Sequence, residues 1–328
     1  MVDKVKVEKR GRVLCIGFNR PEKMNAMDID LYIELAVAYG VLDTDPTLRC
    51  GVLYGEGKNF TAGLELELWA GQFAKGCFPE LPAGACDPFG LNQSRRVSKP
   101  IVVAAHGICY TLALELMLAA DIRVAADNCR FGQIEVQRGL YAVGGATVRF
   151  VQNIGWGNTM RYLLTGDEFD ANEAHRMGLV QAVCPAGQQF EAAMQIAERI
   201  ARQAPLGVAA TLGSARLAIN QGEQVAMDQL IPDLLPILAS GGGTPPDSRP
   251  GMGDAMRIAL ERDFAVPDIR CAGCIAKLEQ GLVRDRRIAS ARVNFTEKRV
   301  HLSCLPDAEM PDLIGAFTTL GFEAHPIG

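Results

Sequence analysis

Nowhere in this chain is there an apolar run long enough to cross a bilayer, so a membrane-spanning helix is not expected. A secretory h-region is missing too. The opening MVDKVKVEKRGRVLCIGF is charged and then strand-like, and a cytoplasmic location is expected. No long basic run occurs and the net charge is −5, which argues against general nucleic-acid binding. A disulfide framework is also absent. Seven of the ten cysteines are scattered at Cys15, Cys50, Cys77, Cys86, Cys109, Cys129 and Cys184, as reduced core thiols would be. No internal repeat is visible. Cys271 and Cys274 break the scatter with a C-x-x-C spacing.

What is present is enough apolar material for a large core. Hydrophobic residues make up 48% of 328, which suits one large domain or two of unequal size. Residues 12–18, RCGVLYG, PIVVAA and DIRVAA read as strands. A helix is expected over 29–43 with Asp28 as its cap. Residues 71–98 read as a loop with short helices, and a loop after Cys129 turns helical near Gly144. Helices are expected over 156–165, 170–177, 187–203, 205–220 and 224–239, giving an α/β domain with a helical tail. A Gly/Pro/Ser linker spans 240–253, and DAMRIALERDF reads as a short helix. The remainder is expected to run βαββαβ: FAVPDI, CIAKLEQGLV, a hairpin around Thr296 and Glu297, a helix capped by Asp307, and FEAHPI.

Glu115 poses the sharpest chemical question. Every other residue from Leu112 to Ala120 is apolar, so a helix there is buried on all sides. A carboxylate in such a helix is paired, neutralised or facing a cavity. A structural ion pair and a catalytic acid or base both fit. FTAGLEL and HGICYTLALE each place a small-residue turn between a strand and a helix start. Unpartnered N–H groups at such turns can hold an oxygen bearing negative charge. Two ordinary strand–helix turns would look the same.

Taken in order, NRPEKMNA, GKNFTAGLEL, HGICYTLALELMLAADIRVAA, FGQIEVQRGLYAVGGATVRF and LLTGDEFDANEAHRMGLVQAV resemble the enoyl-CoA hydratase/isomerase (crotonase) family over residues 10–240. The resemblance implies a ββα superhelix followed by helices. It implies oxyanion donors at the N–H groups of Leu64 and Leu112, and catalytic glutamates at Glu115 and Glu135. It implies an acyl-CoA substrate held around Lys23, Ala26, Ala62 and Leu66, with Tyr141, Gly144 and Gly145 at the pocket border. No organic cofactor and a homotrimer or hexamer are implied as well. The chain departs from the pattern at Leu112, where the family is glycine-rich, at Glu65, where Asp is common, and at Glu67, where a basic residue is common. The Leu112 side chain is therefore expected to reshape the acyl pocket. His106 and His175 are expected to be surface or satisfied residues.

Cys271 and Cys274 stand between a strand and a helix start, where thiolates form readily. Two soft thiolates suit Cu(I) or half a Zn(II) site, and a redox disulfide has the same spacing. DIRCAGC, ARVNFTEKRV and Gly321–Phe322 resemble the heavy-metal-associated domain of copper chaperones over residues 264–328, with Ile269 where methionine is usual. That likeness implies a small ferredoxin-like domain, Cu(I) or another soft metal on Cys271 and Cys274, and a copper-transfer partner. Cys304 is expected to be a core thiol.

The domains expected are thus 1–240 for acyl-CoA chemistry, 241–263 as linker with a short helix, and 264–328 for metal. The expected activity is addition of water to 2-enoyl-CoA. The alternatives are double-bond isomerisation on the same fold and a metal-delivery protein on an inactive scaffold.

Overall fold

The computed structural model describes residues 3–240, 260–285, 287–304 and 308–327. The chain forms two compact units, Met1–Gly213 and Ser214–Gly328.

In the first unit the apolar runs become a six-stranded sheet. Its strands are β1 (Val5–Arg10), β2 (Val13–Phe18), β3 (Cys50–Gly55), β4 (Ile101–Ala105), β6 (Ile122–Ala126) and β9 (Ala182–Cys184), in that spatial order. β1 runs antiparallel to β2, and the other neighbours are parallel. Strands buried on both faces must be apolar throughout, and β2 and β4 are buried at every residue. One face, with Leu14, Ile16, Leu53 and Val103, packs on α1 (Ile29–Thr44), whose Leu31 and Leu35 are fully buried. The other, with Cys15, Val52, Val102 and Val124, is covered by α7 (Gln189–Ala201) through Ala193, Met194 and Ala197. Asp28 caps α1 as expected, accepting the Leu31 N–H at 2.9 Å.

A second, three-stranded sheet joins β5 (Ile108–Tyr110), β7 (Arg130–Gly132) and β8 (Glu168–Asp170). The chain alternates between the two sheets. After β4 it enters β5 and then α3 (Leu112–Ala119); after β6 it enters β7, a 3-10 turn (Glu135–Arg138) and α4 (Ala146–Ile154). After β3 it makes a single bridge, Thr61 to Cys109, before α2 (Leu66–Phe73). Three successive turns of this kind therefore follow one another, the first with a single bridge in place of a second strand. Helices α5 (Trp156–Thr165), α6 (Ala171–Arg176), α8 (Pro205–Gln221) and α9 (Glu223–Ala239) follow the expected bounds to within a residue or two. Among the described residues no helix is long and apolar enough to cross a membrane. All ten cysteines are free thiols.

The second unit carries a four-stranded antiparallel sheet ordered β11 (Ile288–Asn294), β12 (Arg299–Cys304), β10 (Leu260–Ala265), β13 (His325–Ile327). From Leu260 to Ile327 the described helices are α10 (Ala272–Leu282) and α11 (Met310–Thr319), so the element order over that stretch is βαββαβ. Phe264, Ile269, Leu278, Val300, Leu302 and Phe317 form its core, and Cys304 is a core thiol as expected.

Two expectations need correction. The first strand is Leu260–Ala265, not FAVPDI, so the end of DAMRIALERDF is strand and not helix. Helical spacing of Leu260 and Phe264 lost to antiparallel pairing with β12, in which Glu261 faces Ser303 and Asp263 faces His301. The helix after β12 begins at Met310 with Glu309 in the cap position and no side-chain cap bond. Asp307, the linker from 241 to 253 and residues 254–259 lie outside the described residues.

The acidic strand has a measurable consequence. His301 sits between Glu261 (Nε2 at 2.6 Å) and Asp263 (Nδ1 at 2.9 Å). The hydrogen bond to Asp263, aided by Glu261, raises its pKa above the ordinary value. A raised folded-state pKa gives stability that is fully present below about pH 6.5 and disappears as pH rises through the folded value. His301→Gln should therefore lower the melting temperature of the full chain at pH 5.5, and the difference should shrink as pH rises. The effect should be small, because the groups are solvent-exposed and such pairs contribute under about 1 kcal/mol. A difference independent of pH would contradict this.

Candidate active site

The three turns open on one cavity of about 340 Å³ in the first unit. Its wall includes Ala62, Leu64 and Leu66 from the first turn, Thr111, Leu112 and Glu115 from the second, and Glu135 and Tyr141 from the third. Lys23 and Ala26 are not part of that wall. They flank Met24, which is, and the Met24 carbonyl accepts the Ala62 N–H at 3.0 Å. Asn25, missed in the sequence, bolts this corner. It is buried and left-handed, with Nδ2 donating to the Glu56 and Asn59 carbonyls at 2.9 and 2.8 Å.

The first two turns touch directly. Gly63 has φ of +102°, and a Cβ there would lie 2.1 Å from Thr111 Oγ1. Thr111 itself has φ of +51°, a conformation a β-branched residue avoids and one that costs on the order of 1–3 kcal/mol. Its N–H is fixed by the Gly132 carbonyl at 2.7 Å. The strain sets the first peptide of α3. Among the described residues, neither the Leu64 nor the Leu112 N–H donates to any protein acceptor. Leu112 is buried, and its side chain forms cavity wall where a glycine would leave space.

Glu115 is 4% exposed and has no ion pair among the described residues. Its Oε1 instead accepts the N–H groups of Gly144 at 2.6 Å and Ala146 at 3.3 Å, where α4 begins. Burial pushes its pKa up to about 7, opposed by those two N–H donors and by Arg149, and aided by the charge of Glu135. Arg149 is tied to the Phe89 and Gly90 carbonyls at 2.6 and 2.9 Å. Glu135 is half-buried, and burial raises its pKa as well. Gln133 donates to Glu135 Oε1 at 2.7 Å, while Glu135 Oε2 and Gln133 Oε1 are buried without a partner among the described residues. Two acids of raised pKa lining one cavity can exchange protons with a molecule placed between them.

Gly144 was visible in the sequence only as a pocket border. A Cβ on it would lie 2.5 Å from Glu115 Oε2 and 2.7 Å from its Cδ. Gly144→Ala should thus push the carboxylate aside without straining the backbone. Misplacing a reacting group by about 1 Å costs on the order of 10²-fold in rate. Turnover measured beside the melting temperature checks this: a large loss in kcat with the melting temperature held is expected, and unchanged kcat would contradict it.

The departures from the family pattern also find their places. Glu65 pairs with Arg20 at 3.1 Å, which is also 3.1 Å from Asp28, and Glu67 is exposed. His106 is buried with Nε2 3.1 Å from the Gly57 carbonyl, and burial lowers its pKa; His175 is exposed.

Cys271 and Cys274 lie in the other unit, at the start of α10, with their sulfurs 3.0 Å apart. Cys271 is exposed and Cys274 half-buried. The Cys271 hydrogen bond and nearby backbone groups lower the Cys274 pKa. Among the described residues no three His, Cys, Asp or Glu side chains are grouped to hold a metal.

Residues 8–229 match the family Enoyl-CoA hydratase/isomerase, and the chain belongs to it. It is 35% identical over 210 residues to enoyl-CoA hydratase EchA19 of Mycobacterium tuberculosis, covering 64% of this chain and 79% of that protein. The crystal structure of a probable enoyl-CoA hydratase/isomerase from Mycobacterium abscessus superimposes with a TM-score of 0.70 at 48% identity, over 72% of this chain and 91% of that one. An enoyl-CoA hydratase structure from M. tuberculosis gives 0.65 at 33% identity, over 73% and 93%. These likenesses establish the crotonase-like fold and an enzyme of this family. They lend no support to a heavy-metal-associated domain or to copper.

Proposed function

We propose that residues 1–240 add water to the double bond of a 2-enoyl-CoA thioester. One observation carries this: two acids of raised pKa, Glu115 and Glu135, share a cavity with two residues whose N–H groups have no acceptor among the described residues, Leu64 and Leu112. The thioester oxygen sits on those N–H groups. Water gives a proton to one carboxylate as its oxygen bonds to the β-carbon. The other acid protonates the α-carbon as charge returns from the thioester oxygen. Atoms balance with no change of redox state, so no organic cofactor is required. Ala62, Leu66 and Tyr141 line the acyl and pantetheine path, and Lys23 and Ala26 flank its mouth. Exposed Met227, Leu230, Ile231 and Leu235 on α9 support assembly into a trimer or hexamer. Loss of enoyl absorbance on a chain-length series of 2-enoyl-CoA thioesters tests the reading. No turnover at any length would overturn it, and 3-enoyl product would favour isomerisation.

The C-terminal unit has a second reading. The βαββαβ order with strand order β11-β12-β10-β13 supports a ferredoxin-like fold, and the thiol pair supports a soft metal ligated by Cys271 and Cys274. Zn(II) usually takes four protein ligands in a closed site, so two thiolates suit Cu(I) better, with transfer to a partner as its use. The full chain should hold Cu(I) against a chelator, and Cys271→Ser and Cys274→Ser should each release it. Retention by both variants would sink this reading.

A further inference from the structure

Arg138 is not used by the mechanism above. It ends the 3-10 turn that begins with Glu135, and it lines the same cavity. Side chains three apart on a 3-10 turn eclipse one another, so Arg138 projects on the face of Glu135 and lies about 6 Å along the axis. Among the described residues it is the only cation in the cavity wall. Among them, too, its guanidinium forms no ion pair and donates no hydrogen bond. Arg138 is exposed, and the same wall carries the apolar Leu66, Leu140 and Val143 beside the two acids. A guanidinium with a free fork in a cavity wall matches a planar oxyanion, which it can grip through two N–H groups at once.

We propose that Arg138 selects the substrate by gripping an oxyanion, and that this oxyanion is a carboxylate on the acyl chain, a few carbons beyond the double bond. The phosphates of CoA offer the same chemistry. They stand a whole pantetheine arm away from the thioester, however, whereas Arg138 is one turn from Glu135. The inference rests on the hydratase reading and names its substrate class: an enoyl thioester ending in a carboxylate.

The test uses the full chain and two six-carbon 2-enoyl-CoA thioesters, one ending in a methyl group and one in a carboxylate. A charge-assisted bond of this kind should favour the carboxylate by on the order of 10- to 100-fold in kcat/KM. Arg138→Leu should bring that ratio to about one, and Arg138→Lys should keep part of it. A ratio of one in the native chain, or a ratio unchanged in Arg138→Leu, would overturn the proposal. Pantetheine thioesters, which lack the CoA diphosphate, separate the two sources. The preference should persist on them, and an Arg138→Leu effect confined to CoA thioesters would assign the phosphate and overturn the proposal. If no thioester turns over, the hydratase reading fails by itself. Calorimetry with the two saturated six-carbon acyl-CoA thioesters then decides Arg138: tighter binding of the carboxylate-ended thioester, lost in Arg138→Leu, supports it, and equal binding refutes it.

Discussion

Replacing Glu115 by glutamine is expected to cost about 10²–10⁴-fold in kcat for hydration while making the chain more stable in mild alkali. Both effects come from the same burial. Glu115 is 4% exposed, and its pKa is pushed up to about 7 from an ordinary carboxyl value, primarily by loss of water. In the unfolded chain it ionises near pH 4.5, so between that pH and 7 the unfolded state sheds a proton that the folded state keeps. Stability attributable to this group is therefore greatest below about pH 4.5 and falls as pH rises through 7. A shift of this size corresponds to a penalty on the order of 3 kcal/mol at pH 8, which a neutral glutamine does not incur. The glutamine Oε1 can still accept the Gly144 and Ala146 N–H groups. The melting temperature of Glu115→Gln should exceed the native value at pH 8 and converge with it near pH 4. A destabilised variant at pH 8 would show that Glu115 is a structural partner.

The second large effect belongs to Gly63. Its φ of +102° disfavours any side chain, and an alanine Cβ would press on Thr111 Oγ1. Thr111 immediately precedes Leu112, and Gly63 immediately precedes Leu64, so one methyl group displaces both proposed oxyanion donors. Each donor contributes about 10²–10³ in rate, and Gly63→Ala should lower kcat by 10²-fold or more. KM should change much less, because the charge on the thioester oxygen develops mainly in the transition state. A variant with native circular dichroism and kcat within about threefold of native would remove the two N–H groups from the mechanism.

Much of this was legible along the chain because the signals were local. Asp28 announces α1, and Gly155 and Gly166 bracket α5 so closely that its expected and observed bounds coincide at Trp156–Thr165. Glu115 stood out because an acid in an apolar helix has few explanations. What escaped was either short or tertiary. β5, β7 and β8 have three residues each, too few for a period-two pattern. β1 is an edge strand exposed at five of six positions, so VKVEKR carries little apolar alternation. The grip of Gly144 on Glu115 joins residues 29 apart and has no local trace beyond a pair of glycines.

The most direct measurement is a crystal structure of the full chain with a saturated acyl-CoA. The expected result has the thioester oxygen about 3 Å from the N atoms of both Leu64 and Leu112, with the α- and β-carbons between Glu115 and Glu135. A thioester bound away from that pair of N–H groups, with the two carboxylates on separate surfaces, would contradict the proposed chemistry.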